Sequence, residues 1–338
     1  MIILRYLLFP ISILYGLITS FRNFLFDKGI LKSYSFDIPI IAVGNLSVGG
    51  TGKTPQIEYL IRLLSSNYKI ATLSRGYKRK SVGYVLANAT SDAAQLGDEP
   101  FQIHQKFPTI TVAVDANRKN GIEQLLQLNN KPDVILLDDA FQHRKVKAGF
   151  YILLSAYGDL FSDDFMLPTG NLRESRSGAK RANVILITKC PKDLSEFEQE
   201  KIKNKIGLNK PVFFSYIDYD SEIYNEVERK KVSEIKEVDK LLLAGIAKPE
   251  PFFTYLKSEK NTILTYPDHH DFSEKEVQEI QNKAKNKLII TTEKDYVRLK
   301  NKNLKSLFYL PIKSSFVTQG DNFNQSILNY VGTSTRNR

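Results

Sequence analysis

Short, continuous apolar runs recur along the chain at residues 38–43, 69–74, 110–114, 134–139, 150–155 and 184–188. Their length and their Ile, Val and Leu content predict strands buried on both faces. The intervening segments carry apolar residues at helical spacing, as in Ile57, Tyr59, Leu60, Leu63 and Leu64. Phe101, Ile103 and Phe107 behind Pro100 form a second such helix. Strands alternating with helices predict an α/β fold built on a mostly parallel sheet with helices on both faces. The pattern weakens over 192–239, which is rich in Lys and Glu, and strands return at 240–247 and 287–292. A helix at 273–285 starts with Ser273 and has Glu276 at the capping-box offset. The predicted organisation is a core domain over 32–215, a connection at 216–239, and a smaller C-terminal α/β domain over 240–338. Residues 301–338 have no role in this reading beyond completing that second domain.

Residues 1–31 follow a different pattern. Read at helical period, Arg5, Ser12, Gly16, Thr19 and Asn23 fall on one narrow stripe, and almost everything else is large and apolar. So wide an apolar surface has to be buried in protein or in lipid. The uncharged run from Tyr6 to Phe21 is short for a bilayer span, and Pro10 is expected to kink it. A basic residue before an apolar run also suits a signal peptide, but no small-x-small cleavage site follows. The expectation is a helix lying in the membrane interface, with a wholly buried core helix as the alternative.

Composition narrows this. Of the 338 residues 42% are hydrophobic and 25% charged, which places the chain among globular proteins. The lone Cys190 excludes an intrachain disulfide framework and fits a reducing compartment. A formal net charge of +11 points to an anionic partner: nucleic acid, acidic lipid or a phosphorylated substrate. Much of the excess is lysine scattered through the second half, which reads as solvated surface. With no aromatic-rich basic module and no Cys/His finger, nucleic acid is set aside as a partner.

The candidate chemistry starts at residues 44–54, Gly-Asn-Leu-Ser-Val-Gly-Gly-Thr-Gly-Lys-Thr, between the first strand and the first core helix. Strand, glycine-rich turn and helix form a phosphate-binding loop when backbone N–H groups close around phosphate oxygens. Gly49, Gly50, Thr51, Gly52, Lys53 and Thr54 are the nucleotide-binding candidates. Lys53 would reach the β/γ-phosphates, and the Thr54 hydroxyl would bind Mg²⁺. The strict motif wants glycine where Ser47 stands. An apolar strand ending in Asp138 and Asp139 supplies the second half of such a site, and either carboxylate could complete the metal shell. Thr188-Lys189-Cys190-Pro191 resembles half of a guanine-reading loop but lacks its Asn and Asp, which favours ATP over GTP. Candidates for anion and sugar contact are Arg75 in the basic loop 75–80 and Arg118 beyond the strand 110–114. Gln142 and His143 lie at the same sheet edge, and the turn-rich stretch 167–174 adds Asn171, Arg173 and Glu174.

Several motifs together resemble the tetraacyldisaccharide 4'-kinase family. They are Gly44-Asn45 through Thr54-Pro55, Ser74-Arg75-Gly76-Tyr77, Gly97-Asp98-Glu99-Pro100, and Asp138-Asp139-Ala140-Phe141-Gln142-His143-Arg144. Leu167-Pro168 with Gly170 and Leu172-Arg173-Glu174, Pro267-Asp268-His269 and Thr292-Glu293-Lys294-Asp295 complete the set, which runs to about residue 300. The resemblance implies ATP-dependent phosphorylation of the 4'-hydroxyl of a tetraacyldisaccharide 1-phosphate, giving lipid IVA, by a peripheral enzyme on the cytoplasmic face of the inner membrane. It implies Asp98 as general base and His269, in preference to His270, as its partner, with two domains closing over ATP. A membrane-associated P-loop ATPase acting as a switch is the rival reading. Those proteins often carry lysine where this chain has Val48.

Overall fold

The structure is a computed structural model and describes Arg5 and residues 7–268 and 270–336. The chain forms two compact units, one running to Ile217 and resuming at Ser314, the other spanning Asp218–Lys313.

The strands of the larger unit are β1 (Ile40–Asn45), β2 (Ile70–Ser74), β3 (Val85–Leu86), β4 (Thr111–Val114), β5 (Val134–Asp138), β6 (Phe150–Ala156), β7 (Val184–Thr188) and β8 (Val212–Tyr219). Those of the smaller are β9 (Glu222–Tyr224), β10 (Arg229–Lys231), β11 (Lys240–Ala244), β12 (Thr262–Thr265), β13 (Leu288–Thr292) and β14 (Leu307–Leu310). The last strand, β15 (Ile312–Thr318), leads back to the larger unit. The main helices are α1 (Phe9–Asp27), α2 (Lys53–Leu64), α3 (Asp98–Lys106), α4 (Arg118–Leu126), α5 (Glu196–Ile206), α6 (Glu274–Ala284), α7 (Glu293–Leu299) and α8 (Gly320–Arg336).

The first sheet has the order β15-β8-β7-β6-β1-β5-β2-β4-β3. From β8 to β4 every neighbour pairs in parallel, and β3 closes the edge antiparallel to β4. Every residue of β1, β5 and β7 is buried, as the continuous apolar runs require. One face is covered by α2, α3 and α8 through Ile57, Leu60, Ile103, Phe323 and Ile327. The other is covered by α4 through Ile122 and Leu125, and by α5 through Ile202 and Ile206. The second sheet has the order β10-β9-β14-β13-β11-β12. Its four later strands are parallel, and β9 and β10 are added antiparallel. The capping box at Ser273 and Glu276 is present at the start of α6.

Two expectations about the organisation need correction. Residues 216–239 are not a bare connection: they hold β9 and β10 and bury Ile223 and Ile235 in the smaller unit's core. Nor do residues 301–338 all complete the second domain. From Ser314 the chain belongs to the larger unit, because Phe323, Ile327 and Val331 of α8 are fully buried in its core. Phe323 meets Phe213 edge-on at 5.4 Å, and the Tyr330 hydroxyl donates to Ile40 O (3.2 Å) and accepts from Ile40 N (3.1 Å).

Helix α1 is inside out by the standard of a soluble protein. Only Ser12 and Thr19 are buried, while Leu14, Leu17, Ile18 and Phe21 are 59–63% exposed. The core-helix alternative is therefore excluded. Pro10 falls in the first turn of α1, where a missing N–H costs nothing, so the expected kink does not arise. The stripe of small and polar residues faces protein instead. The Ser12 hydroxyl donates to Thr169 Oγ1 (2.7 Å), the Tyr15 hydroxyl to Arg173 O (3.1 Å), and Asn23 Nδ2 to Glu174 Oε2 (3.0 Å).

Candidate active site

Parallel strands of one sheet direct their carboxyl ends to one edge, and ligands bind there. Adjacent β1 and β5 bring the glycine-rich loop and the two carboxylates together at that edge, with Val43 opposite Asp138 in register. The loop runs from Leu46 to Gly52. Gly49 (φ 106°) and Gly52 (φ 83°) take left-handed backbone that a side chain would strain, and Gly52 leads directly into α2. Among the described residues no side chain caps α2, so the N–H groups of its first turn are left for an anion. Ser47 needs no glycine, because it lies in an antiparallel bridge with Leu172. Val48 N donates to Asn171 O (2.8 Å) and Arg173 N to Leu46 O (2.7 Å), so the 167–174 stretch holds the loop's first half in extended form. The second half is braced from the end of β7. Thr188 Oγ1 donates to Thr51 O (2.8 Å) and Lys189 Nζ to Gly50 O (2.5 Å). The sequence had shown Thr188 and Lys189 only as half of a base-reading motif. Their position just past a buried strand's carboxyl end was the available signal.

The two neighbouring carboxylates have opposite surroundings. Asp138 is buried, and its Oδ1 has no hydrogen-bond partner among the described residues. Burial, then the Glu99 carboxylate, push its pKa up to about 7, against the pull of Lys53. Asp139, at φ 48°, turns toward the loop. Burial alone would raise it, but the Arg173 fork and Lys53 outweigh burial and hold it at about 2. Arg173 donates from Nη1 to Asp139 Oδ2 (3.0 Å) and from Nη2 to Oδ1 (2.8 Å), a bidentate pair, while Lys53 Nζ stands 3.7 Å from Oδ1. Arg173 Nη2 also donates to Asn45 Oδ1 (2.5 Å), and Gln142 Nε2 to Asn45 O (2.8 Å). Asn45 is thus a junction that the motif analysis left without a role.

Asp98 and Glu99 open α3, behind Gly97. A Cβ on Gly97 would stand 3.0 Å from Tyr77 O, so this turn packs directly on the loop that carries Arg75. Asp139 also borders a cavity of about 740 Å³. Tyr15, Thr19, Arg22 and Phe26 of α1 form one wall, and Arg75, Arg118, Gln142, His143, Arg144 and Arg173 line much of the rest. Arg118 is buried and spans two strand ends, donating to Asp115 O and to Asp138 O (3.1 Å). Burial lowers its pKa to about 10, against the raising effect of Asp138 and Asp139. His143 is lowered to about 4 by burial and by the positive Arg118 and Arg75, so its ring is neutral at physiological pH.

Two of the predicted substrate contacts lie elsewhere. Glu174 is fully buried between Asn23 and Arg181 and has no surface to offer a ligand. Asn171 is outside the cavity lining, and its Oδ1 accepts from Arg5 Nη2 (3.3 Å). Both tie α1 to the 167–174 stretch. Sequence reasoning passed over Arg22, whose signal was that it is the one cation in the apolar helix Phe9–Asp27. His269 lies outside the described residues. Its neighbour His270, in the smaller unit, stacks on Tyr266 with ring centroids 4.9 Å apart and has Nε2 2.9 Å from Glu276 Oε1.

Comparison with known proteins agrees in chain length and fold. Residues 4–332 match the family model described as Tetraacyldisaccharide-1-P 4'-kinase. A Tetraacyldisaccharide 4'-kinase of Flavobacterium johnsoniae is 68% identical over 332 residues, covering 97% of this chain and 98% of its own. One from Bacteroides thetaiotaomicron is 47% identical, covering 98% and 94%. Among solved structures, LpxK from Aquifex aeolicus in complex with ATP is similar with a TM-score of 0.80 at 31% identity, covering 97% of this chain and 99% of that one.

Proposed function

The chain belongs to the tetraacyldisaccharide-1-P 4'-kinase family and is an ATP-dependent lipid A 4'-kinase, and we propose that its transfer runs at the sheet edge just described. The observation that carries this reading is one cationic cavity that touches both the Asp139–Arg173 pair and the inner wall of an outwardly apolar helix. A substrate with several acyl chains and a phosphorylated sugar head needs those two features side by side.

In this reading the loop from Gly49 to Thr54 and the N-terminus of α2 hold the phosphates of ATP. Lys53 places its charge on the transferring group. Arg75 and Arg173 bind anionic oxygens, and neutral His143 with Gln142 offers hydrogen bonds to sugar hydroxyls. Asp98 takes the proton of the 4'-hydroxyl as the O–P bond forms. The residues fit a Mg²⁺ ion. Asp138 Oδ1 is a buried acceptor with no partner among the described residues, and the Thr54 hydroxyl follows the loop lysine directly. Magnesium sites of this kind use one or two carboxylates with substrate phosphates. Asp138 is the better ligand of the pair, since Asp139 is already held by Arg173. When bound, the ion would neutralise developing charge on the phosphate oxygens.

Helix α1 would rest in the cytoplasmic leaflet of the inner membrane as a peripheral, monotopic anchor. Its exposed apolar side and its protein-facing polar stripe support that placement, and the net positive charge suits an anionic surface. Transfer of labelled phosphate from ATP to a lipid A disaccharide 1-phosphate precursor tests the site assignment. Asp98→Ala should lower turnover by roughly 10²–10⁴-fold with ATP-analogue affinity unchanged. Turnover near wild type in that variant would remove Asp98 from the mechanism.

A further inference from the structure

Helix α2 carries a carboxylate that the phosphate chemistry does not use. Glu58 is 2% exposed, one turn beyond Thr54 on the helix that starts at the phosphate loop. A charge that deep requires partners, and Glu58 has three. Its Oε2 accepts from Arg62 Nη2 (3.0 Å) on the next turn of α2 and is 2.8 Å from Lys106 Nζ. Its Oε1 accepts from Gln102 Nε2 (3.3 Å). Gln102 and Lys106 both belong to α3, the helix whose first residues are Asp98 and Glu99.

The two helices meet the reaction centre at their N-termini, α2 with Lys53 and Thr54, α3 with the Gly-Asp-Glu turn. An element of nine residues rises roughly 13 Å and behaves as a short rigid rod. A rod pinned near its far end by an ion pair to a buried carboxylate has its leading end fixed in angle. Apolar packing alone, such as Ile57 and Ile103 in the shared core, lets helices slide by fractions of an ångström. A buried carboxylate with directed partners does not tolerate that slide.

We propose that Glu58 is a positioning residue for phosphoryl transfer: by clasping Lys106 and Gln102 it fixes the angle of α3 on α2, and so the distance between the base turn at Asp98 and the phosphates held at Lys53. The inference rests on the site assignment above. It assigns no contact with substrate to Glu58; the clasp acts through α3.

The test separates the inter-helix link from an ordinary contribution to stability. Lys106→Met removes the partner on α3. Arg62→Met removes an equal charge from the same carboxylate but on Glu58's own helix, and the Met side chain keeps the packing that Arg62 makes 5.1 Å over the Phe107 ring. Lys106→Met should lower kcat by roughly ten- to a hundredfold, with the Kd of a non-hydrolysable ATP analogue unchanged. Lys106→Arg should restore most of the loss, and Arg62→Met should leave kcat within about twofold of wild type. Equal losses of kcat in Lys106→Met and Arg62→Met, or an unchanged kcat in Lys106→Met, would overturn the proposal. An Asp98→Ala assay run in parallel reports on the site assignment alone, so the clasp and the assignment fail separately.

Discussion

At the scale of single residues, adjacent side chains in this site differ by their neighbours more than by their type. Asp138 and Asp139 are both strand-end aspartates, yet one is raised to about 7 and the other held at about 2. The difference is the Arg173 fork, and it predicts a pH signature. A depressed carboxylate contributes stability that is present above its unfolded pKa and is lost as pH falls through its folded value. For Asp139 that window runs from about 4 down to about 2. His143 is also depressed, from 6.5 to about 4, so its contribution is full above pH 6.5 and is lost as pH falls toward 4. Asp138, raised from 3.8 to about 7, has the opposite sign: its contribution is lost as pH rises toward 7. In unfolding free energies measured across pH it therefore offsets the His143 loss in the upper window, and the lower window shows the Asp139 loss. His143→Gln should change the slope of the upper window alone, leaving the opposing Asp138 contribution, and Arg173→Met should flatten the lower one. If Arg173→Met leaves the slope between pH 4 and 2 unaltered, the fork is not what holds Asp139 down. The sequence made Lys53, Asp138 and Asp139 legible because each belongs to a local motif. It misread Glu174 as a substrate contact, because the partners that bury it, Asn23 and Arg181, come from different parts of the fold.

At the scale of elements, the strands of the central sheet could be read because burial on both faces leaves an uninterrupted apolar run. The strands β9 and β10 could not. They are three residues each at a sheet edge, and Arg229–Lys231 is wholly basic. Helix α8 presents Phe323, Ile327 and Val331 at four-residue spacing, a pattern open to reading. What the pattern lacks is the identity of the surface it covers, which a core face never specifies. The 167–174 stretch shows how one element serves two others. Its backbone pairs with the phosphate loop, and its side chains receive α1. Within it Glu174 is a buried anion between Arg181 and Asn23, so removing the carboxylate strands a cation. Glu174→Ala should cost about 3–5 kcal/mol, as broken buried ion pairs do. Asn23→Ala removes one hydrogen bond and should cost about 1 kcal/mol. Denaturant unfolding of both variants checks the ranking, and a Glu174→Ala loss no larger than that of Asn23→Ala would mean that the pair carries little.

At the scale of the molecule, the orientation of α1 is the property that a sequence pattern leaves open. A narrow polar stripe on an apolar helix fits a buried helix with a few internal hydrogen bonds, and equally a helix whose stripe binds protein while the rest meets lipid. The structure excludes the first, since Ser12, Tyr15 and Asn23 are the residues that bond to protein, while Leu14, Leu17 and Phe21 project outward. The resulting face must be covered, because each such side chain gains about 1.5–3 kcal/mol from leaving water. Lys and Arg near an anionic surface add about 1 kcal/mol apiece and are screened by salt, whereas the apolar term is not. The two contributions can therefore be told apart by sedimentation with vesicles of anionic phospholipid. Raising the salt should weaken binding of the wild-type protein without abolishing it. Changing Leu14, Leu17 and Phe21 together to Ser removes roughly 4.5–9 kcal/mol of apolar transfer and should leave only the salt-sensitive part. Because none of the three lines the cavity, affinity for an ATP analogue should stay at the wild-type level. Phosphate transfer to a substrate embedded in vesicles should fall steeply. If the triple variant sediments like wild type at high salt, α1 is not what holds the enzyme to its lipid.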